Sequence, residues 1–160
     1  YELQYYFIQN QRYQRITFVE EADKMNEDLV LIKEAKKARE AAYAPYSNFL
    51  VGAAMLGESG KVYLGCNIEN ASYGASNCAE RTALFKAVSE GEKRFVKIAI
   101  VGAKRGEAPK DLCPPCGICR QVMLEFCDPE TFQILLEENQ TLRTYLLKDL
   151  LPYSFGPTNL

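Results

Sequence analysis

Three cysteines and one glutamate are spaced as an open zinc site requires. Cys78 and Glu80 are separated by one residue, and Cys116 and Cys119 follow as a Cys-x-x-Cys pair behind a proline. Thiolate sulfur suits Zn²⁺, and three protein ligands leave a fourth position for water, which is the arrangement of a catalytic zinc. We therefore expect one Zn²⁺ per subunit, held by the three thiolates, with Glu80 as the general base that exchanges protons with the water.

Arg81, next to Glu80, supplies the countercharge that a three-thiolate site needs. Three thiolates around Zn²⁺ carry a net charge of -1, and this opposes the loss of a proton from water. A guanidinium that hydrogen-bonds a ligand sulfur withdraws electron density and restores the Lewis acidity of the metal. Arg81 is thus predicted to tune the metal rather than to bind it.

Two alternatives for the cysteines stay open at this point. Cys113 precedes Cys116 by three residues and could complete a closed, structural Cys₄ site. The Cys-x-x-Cys pair could also be a redox motif. Pro114 and Pro115 stiffen the connection to Cys113, and both alternatives leave Glu80 without a role.

The elements that must position these residues are read from periodicity and turn residues. The patterns predict helices over 27–42, with Asn26 as N-cap, 78–89 and 116–126, and strands over 49–56, 61–68, 95–101, 131–136 and 144–147. Both cysteine segments then lie where a loop enters a helix, and the unsatisfied N–H groups there favour thiolate. Strands alternating with helices predict an α/β fold, a three-layer α/β/α sandwich with a mixed sheet of about five strands.

Composition limits the possible partners. The chain has 160 residues, a formal net charge of -2 and a pI of about 5.4, so no positive field attracts nucleic acid or an anionic membrane. A small neutral substrate fits better. We expect no membrane span and no secretory leader, because no apolar run approaches roughly 18 residues and the start lacks a basic-then-apolar order. The free-cysteine motif favours a reducing, cytoplasmic compartment.

Residues 1–25 differ from the rest of the chain. They are rich in aromatic residues and glutamine, and they show no sustained period of 2 or 3.6. We treat them as an N-terminal extension of unknown function, and residues 26–160 as the catalytic domain.

Four further runs accompany the cysteine segments: YSNFLVGAA at 46–54, NIENASY at 67–73, RQ at 120–121 and LLPYSFGP at 150–157. With them, Cys-x-Glu followed by Pro-Cys-x-x-Cys is the three-cysteine variant of the zinc deaminase signature. Residues 27–157 resemble the small homotetrameric cytidine deaminases. The resemblance implies zinc-dependent hydrolysis of cytidine and deoxycytidine to uridine and deoxyuridine, with release of ammonia, for pyrimidine salvage.

The resemblance also implies roles for residues around the metal. Asn67 and Glu69 would hydrogen-bond the ribose, and an amide with a carboxylate can both donate to and accept from a sugar hydroxyl. Three residues would contact the base: Phe49 by stacking, Ala79 through its backbone at the base carbonyl, and Pro114 through its carbonyl at the departing amine. Three more would complete a neighbouring subunit's pocket in a homotetramer: Ala71, Tyr73 and Phe155.

Other functions stay open on the sequence alone. Blasticidin-S deaminase shares the cysteine pattern, although the Asn67-x-Glu69 pair favours a nucleoside. Polynucleotide deaminases need a basic groove that this acidic chain does not predict. The non-enzyme alternative is a zinc-stabilised interaction module to which the aromatic extension contributes.

Overall fold

A five-stranded mixed sheet is the centre of the computed structural model, which describes residues 23–160. The strands are β1 (Phe49–Gly57), β2 (Val62–Cys66), β3 (Phe95–Lys104), β4 (Gln133–Glu138) and β5 (Thr141–Leu146). Their order across the sheet is β2-β1-β3-β4-β5. Only β3 and β4 pair in parallel, and the other three neighbouring pairs are antiparallel. The predicted α/β fold with a mixed sheet is confirmed.

Four helices accompany the sheet in the described residues: α1 (residues 23–39), α2 (Ala79–Ser89), α3 (Gly117–Phe126) and the single turn α4 (Leu147–Leu150). Two 3₁₀ turns lie at Tyr73–Ala75 and Pro157–Asn159. Among residues 23–160, every helix is too short or too polar to cross a bilayer.

Both faces of the sheet carry apolar side chains, which is why the fold has three layers. Alternate residues of a strand point to opposite faces. One set forms the larger core cluster with α2 and α3: Ala53 and Met55, Ile98 and Ile100, Ile134 and Leu136. The residues between them, among which are Ala54 and Ala99, pack with Leu31, Ile32 and Ala35 of α1 on the other face.

The first helix differs from its predicted span. It covers residues 23–39 instead of 27–42, so Asn26 lies inside the helix and the N-cap prediction is wrong. Residues 40 and 41 form tighter turns, with Glu40 N–H donating to the Lys37 carbonyl and Ala41 N–H to the Ala38 carbonyl. Such bonds to the third preceding residue satisfy the last carbonyls of a helix and end it.

The last two strands are present, but their predicted bounds are wrong. The sequence predicts strands over 131–136 and 144–147, whereas β4 and β5 form a hairpin closed by Asn139 and Gln140. Both of these residues have positive φ, 47° and 65°, the backbone of a two-residue turn that follows the twist of the strands. Apolar alternation does not reveal such a turn, because no glycine marks it.

The chain divides into two units, residues 1–30 and Leu31–Leu160. The sheet and the site described below belong to the second unit. Most of the N-terminal extension assigned to 1–25 lies outside the described residues, so its boundary with a domain at 26–160 stays a prediction.

Candidate active site

The two cysteine segments lie at helix starts, as predicted. Cys78 is the N-cap of α2 and Cys116 is the N-cap of α3, both with extended backbone. Cys119 is in the first turn of α3 and is buried. Each helix therefore directs its first N–H groups towards the thiols that precede it.

A glycine on β2 sets the position of α2. A Cβ added at Gly65 would overlap the Ala79 carbonyl oxygen and the Ala83 amide nitrogen, and would lie 3.0 Å from Ala83 Cα. The helix and the strand thus approach so closely that no side chain fits between them. This contact, together with the Thr82 hydroxyl that donates to the Cys78 carbonyl at 3.1 Å, fixes where Cys78 points.

The three thiols converge at the spacing that one zinc ion requires. The Sγ atoms of Cys78 and Cys116 are 3.8 Å apart, those of Cys116 and Cys119 are 3.5 Å apart, and all three lie within 4.8 Å of one another. Tetrahedral Zn–S bonds of about 2.3 Å correspond to sulfur separations of about 3.8 Å. The donor set and its geometry both fit Zn²⁺.

Cys113 is not a member of this group. Its Sγ atom packs over Gly102, where an added Cβ would lie 2.6 Å from it and 2.8 Å from Cε1 of Phe49. Burial raises the pKa of the Cys113 thiol to about 12, with a further contribution from the charge of Glu80. Because Cys113 Sγ lies outside the group of three converging thiols, the structure does not form the closed Cys₄ site.

Arg81 contacts a ligand sulfur. Its Nη2 atom lies 3.4 Å from Cys78 Sγ and 3.4 Å from the Ser76 carbonyl oxygen. Nε of Arg81 is buried without a hydrogen-bond partner, although the residue as a whole is half-buried and lines the cavity described below. The geometry is the one expected of a countercharge that acts through a ligand.

The thiols do not share one tendency to ionise. Hydrogen bonds from the Cys119 thiol and from Arg81 lower the pKa of Cys78 to about 5, against the effect of burial. The same contact with Cys78, together with burial, raises the pKa of Cys119. Three adjacent sulfurs cannot all carry charge until a cation joins them, so thiolate at Cys119 depends on the bound metal.

Glu80 is buried beside the thiols, with 5% of its surface exposed. Burial raises the pKa of its carboxyl to about 7, and the negative charge of Cys78 raises it further, while a hydrogen bond to its own backbone opposes the rise. A carboxyl that titrates near neutrality can both accept and return a proton at physiological pH. Its environment suits acid–base chemistry.

A cavity of about 620 Å³ opens onto these groups. Its lining includes Glu80 and the two ligands Cys78 and Cys116. Five other residues predicted from the sequence also line it: Asn67, Glu69, Ala79, Arg81 and Pro114. Tyr73 also lines the cavity of its own chain, whereas Phe49, Ala71 and Phe155 lie outside its lining. The volume is that of a pocket for a small organic molecule.

Residues 25–135 match the family model described as the cytidine and deoxycytidylate deaminase zinc-binding region. The chain belongs to this deaminase family. It is 52% identical over 126 residues to cytidine deaminase from Halalkalibacterium halodurans, covering 79% of this chain and 92% of that relative.

Solved deaminase structures share the fold. Cytidine deaminase from Burkholderia pseudomallei superimposes with a TM-score of 0.71 at 51% identity, covering 79% of this chain and 97% of the other. The enzyme from Mycobacterium tuberculosis gives 0.67 at 41% identity, covering 79% and 95%. The zinc cofactor of this family agrees with the convergence of three thiols described above.

In this family member, Asn67 and Glu69 already have partners within the chain. The Asn67 side chain accepts from Val51 N–H and donates to the Phe49 carbonyl, both at 2.8 Å, and so adds a rung to the sheet where β2 ends. Glu69 accepts from the N–H groups of Tyr46 and Ser47 and from the Ser47 hydroxyl. These bonds, with that of the Ser47 hydroxyl foremost, hold the pKa of Glu69 below its usual value.

Sequence reasoning missed several residues of the deaminase cavity. Tyr46 and Ser47 line it on the turn that Glu69 holds, and the Tyr46 ring lies 6.2 Å from that of Tyr73. Ser76, Asn77 and Ile118 complete the wall near the cysteines. Tyr46 and Ser47 stand in the first run that carries the family resemblance, and this was the available signal.

Proposed function

We propose that this chain hydrolyses cytidine and deoxycytidine to uridine and deoxyuridine and releases ammonia. The observation that carries the proposal is the convergence of Cys78, Cys116 and Cys119 beside the buried carboxyl of Glu80, on one wall of a cavity of about 620 Å³. Membership of the deaminase family supports the same reaction.

Glu80 is the proton carrier in this proposal. A bound Zn²⁺ supplies the Lewis acidity that makes a water molecule nucleophilic near neutral pH. Glu80 accepts the first proton of the attacking water and passes it to the ring nitrogen beside the reacting carbon. It then accepts the second proton, from the hydroxyl formed on that carbon, and gives it to the amine, which departs as ammonia. One water is consumed and one ammonia leaves, so the carboxyl ends the cycle as it began.

Arg81, Ala79 and Pro114 are proposed to support the reaction around Glu80. Arg81 offsets the charge of Cys78 through the 3.4 Å contact, which limits the repulsion that the thiolate exerts on ionised Glu80. Ala79 is fully buried between Cys78 and Glu80, so its backbone is fixed where the base carbonyl would bind. Proline at 114 keeps the main-chain carbonyl that would receive the amine.

Asn67 and Glu69 are proposed to bind the ribose through what their internal bonds leave free. An amide offers two N–H groups and two acceptor sites, and one of each is used on β1. The Glu69 carboxylate accepts three bonds and has about four acceptor sites. One donor and two acceptors thus remain for the sugar hydroxyls, while Phe49 would stack beside the base.

We further propose a homotetramer in which each subunit lends Ala71, Tyr73 and Phe155 to a neighbour. Tyr73 is 76% exposed and Phe155 is 62% exposed, and Tyr46, which lines the cavity with Tyr73, is also exposed. Large exposed apolar groups of this kind are typical of interaction surfaces. Light scattering tests the assembly, and a monomer at working concentration would contradict it.

The six cysteines are all free thiols, which supports a proposed location in a reducing, cytoplasmic compartment, where pyrimidine salvage would use the reaction.

The test of the activity is the loss of ultraviolet absorbance when the zinc-loaded protein is added to cytidine or deoxycytidine, with ammonia measured in parallel. Cytosine and a single-stranded oligonucleotide serve as comparison substrates. Turnover of neither nucleoside by fully zinc-loaded protein would favour the structural-module alternative.

A further inference from the structure

Arg120 makes an unusual pair of contacts beside the zinc ligands. It follows Cys119 in α3, and its backbone N–H makes the ordinary helical bond to the Cys116 carbonyl at 3.0 Å. Its half-buried side chain turns back along the helix. Nε donates to the Pro115 carbonyl at 2.7 Å, and Nη1 donates to the Leu150 carbonyl at 2.8 Å.

The bond to the Pro115 carbonyl is important because the segment before Cys116 has few backbone groups that can form hydrogen bonds. Residues 112–116 belong to no helix or strand. Pro114 and Pro115 have no backbone N–H, so only their carbonyls can be hydrogen-bonded. Arg120 binds the carbonyl of Pro115, the residue that is joined to the ligand Cys116 and that is itself fully buried.

The second contact joins this segment to the C-terminal tail. Leu150 is the last residue of the single turn α4, and the last carbonyls of a helix need partners from outside it. Two residues that follow Arg120 in α3 contact the tail nearer its end. Gln121 Nε2 donates to the Phe155 carbonyl at 2.9 Å, and Leu124 lies so close to Gly156 that an added Cβ would be 2.8 Å from its Cδ2.

We infer that Arg120 is a positioning residue: its guanidinium holds the Pro114–Cys116 segment against the tail, and so fixes one zinc ligand and the carbonyl proposed to receive the amine. The inference rests on the proposed function for the role of Pro114 and on the thiol geometry for the role of Cys116. A planar guanidinium suits two acceptors in fixed directions, which one ammonium cannot match.

The test compares zinc release from Arg120→Met, Arg120→Lys and wild type, measured as colour change of a chelating dye in excess. Residues that hold a metal ligand in place typically change metal affinity by about 10–100-fold when replaced. We expect release from Arg120→Met to be faster by about that factor, with Arg120→Lys in between. Cobalt(II)-loaded Arg120→Met should also show shifted ligand-field absorption, because the sulfur geometry has changed.

Two controls separate this role from general loss of charge or of tail contacts. Arg143→Met removes an exposed arginine that pairs with Glu138 at 3.2 Å on β5, and should release zinc at the wild-type rate. Gln121→Met removes only the tail contact, and should do the same. If Gln121→Met released zinc as fast as Arg120→Met, the effect would run through the tail and the inference would be overturned.

A folded Arg120→Met protein that keeps wild-type zinc release and an unshifted cobalt spectrum would also overturn it. If Arg120→Met does not fold, Arg120→Lys decides: faster release supports the inference and wild-type release refutes it. Zinc release is measured without a nucleoside, so a wild-type protein that binds zinc but deaminates nothing would refute the proposed function alone.

Discussion

Replacing Glu80 by glutamine tests the proposed proton carrier most directly. Glutamine has nearly the same size as Glu80, of whose surface only 5% is exposed, but it cannot accept and return a proton. Positioned acid–base groups contribute about 10²–10⁴-fold to rates. We therefore expect kcat for cytidine to fall by at least about a hundredfold. The zinc content should stay at that of wild type, because the three thiols are untouched.

The same substitution should stabilise the metal-free protein at high pH. Burial raises the pKa of Glu80 from 4.5 to about 7, so the folded chain binds more protons here than the unfolded chain between those values. Stability therefore falls as pH rises through this window, and above pH 7 the ionised carboxyl costs about 3 kcal/mol. Glutamine has no such cost, so the mutant should be more stable than wild type at pH 8, and the advantage should shrink towards pH 5.

Two measurements check this reasoning together. The first is cytidine turnover by zinc-loaded wild type and Glu80→Gln, with metal content measured on the same samples. The second is urea unfolding of both chelated proteins between pH 5 and pH 8, taken as a difference so that other titrating groups cancel. A mutant within tenfold of wild-type activity, or a stability difference that does not change with pH, would refute the assigned role and the assigned environment respectively.

Three further predictions concern the metal and its support. Arg81→Gln should slow turnover by about 10–100-fold with little loss of fold, because the 3.4 Å contact with Cys78 is lost, and a mutant as active as wild type at saturating cytidine contradicts this. Chelation of the zinc should abolish activity and make Cys78 and Cys116 reactive towards Ellman's reagent, with buried Cys119 reacting more slowly, and these changes should reverse with added Zn²⁺. Gly65→Ala should cost about 1–3 kcal/mol of unfolding free energy and weaken zinc retention, since the added Cβ overlaps the backbone of α2. The control Gly74→Ala, which meets no atom within 4 Å, should be close to neutral in thermal unfolding, and equal losses for both would contradict the close-approach argument.

The sequence predicted the starts of α2 and α3 to within one residue because the residues there obey local rules. Asn77 and Pro115 come directly before the ligands, and polar or proline residues mark where a loop enters a helix. The predicted helices over 78–89 and 116–126 begin one residue later in the structure, with Cys78 and Cys116 as their N-caps. The first hairpin was equally readable, since Gly60 has a φ of 82° that glycine accepts without strain.

Features that depend on contacts between distant residues were not readable. The turn at Asn139 and Gln140 carries no glycine, and only the pairing of β4 with β5 makes its left-handed backbone favourable. The sequence also did not reveal that Asn67 completes the edge of β1 or that Glu69 holds Ser47, because each bond joins segments 16 or more residues apart. Polar residues near a ligand suggest contacts to the ligand, whereas here they first fix the walls of its cavity.

The position of Cys113 explains how a chain with four nearby thiols can keep a metal open to solvent. Spacing alone makes Cys113 as good a ligand as Cys119, since each is three residues from Cys116. Their positions in the fold separate them. The helix that begins after Cys116 turns Cys119 back towards Cys78, whereas the proline pair keeps the chain extended and leaves Cys113 packed over Gly102 and Phe49. Burial raises the pKa of the Cys113 thiol to about 12, and the pKa of Cys119 is raised as well, so position and not ionisation decides which thiol joins the group. A side chain at position 102 of β3 would overlap Cys113 Sγ and displace it. Glycine at 102 therefore helps to keep this fourth thiol away from the zinc position that water is proposed to occupy.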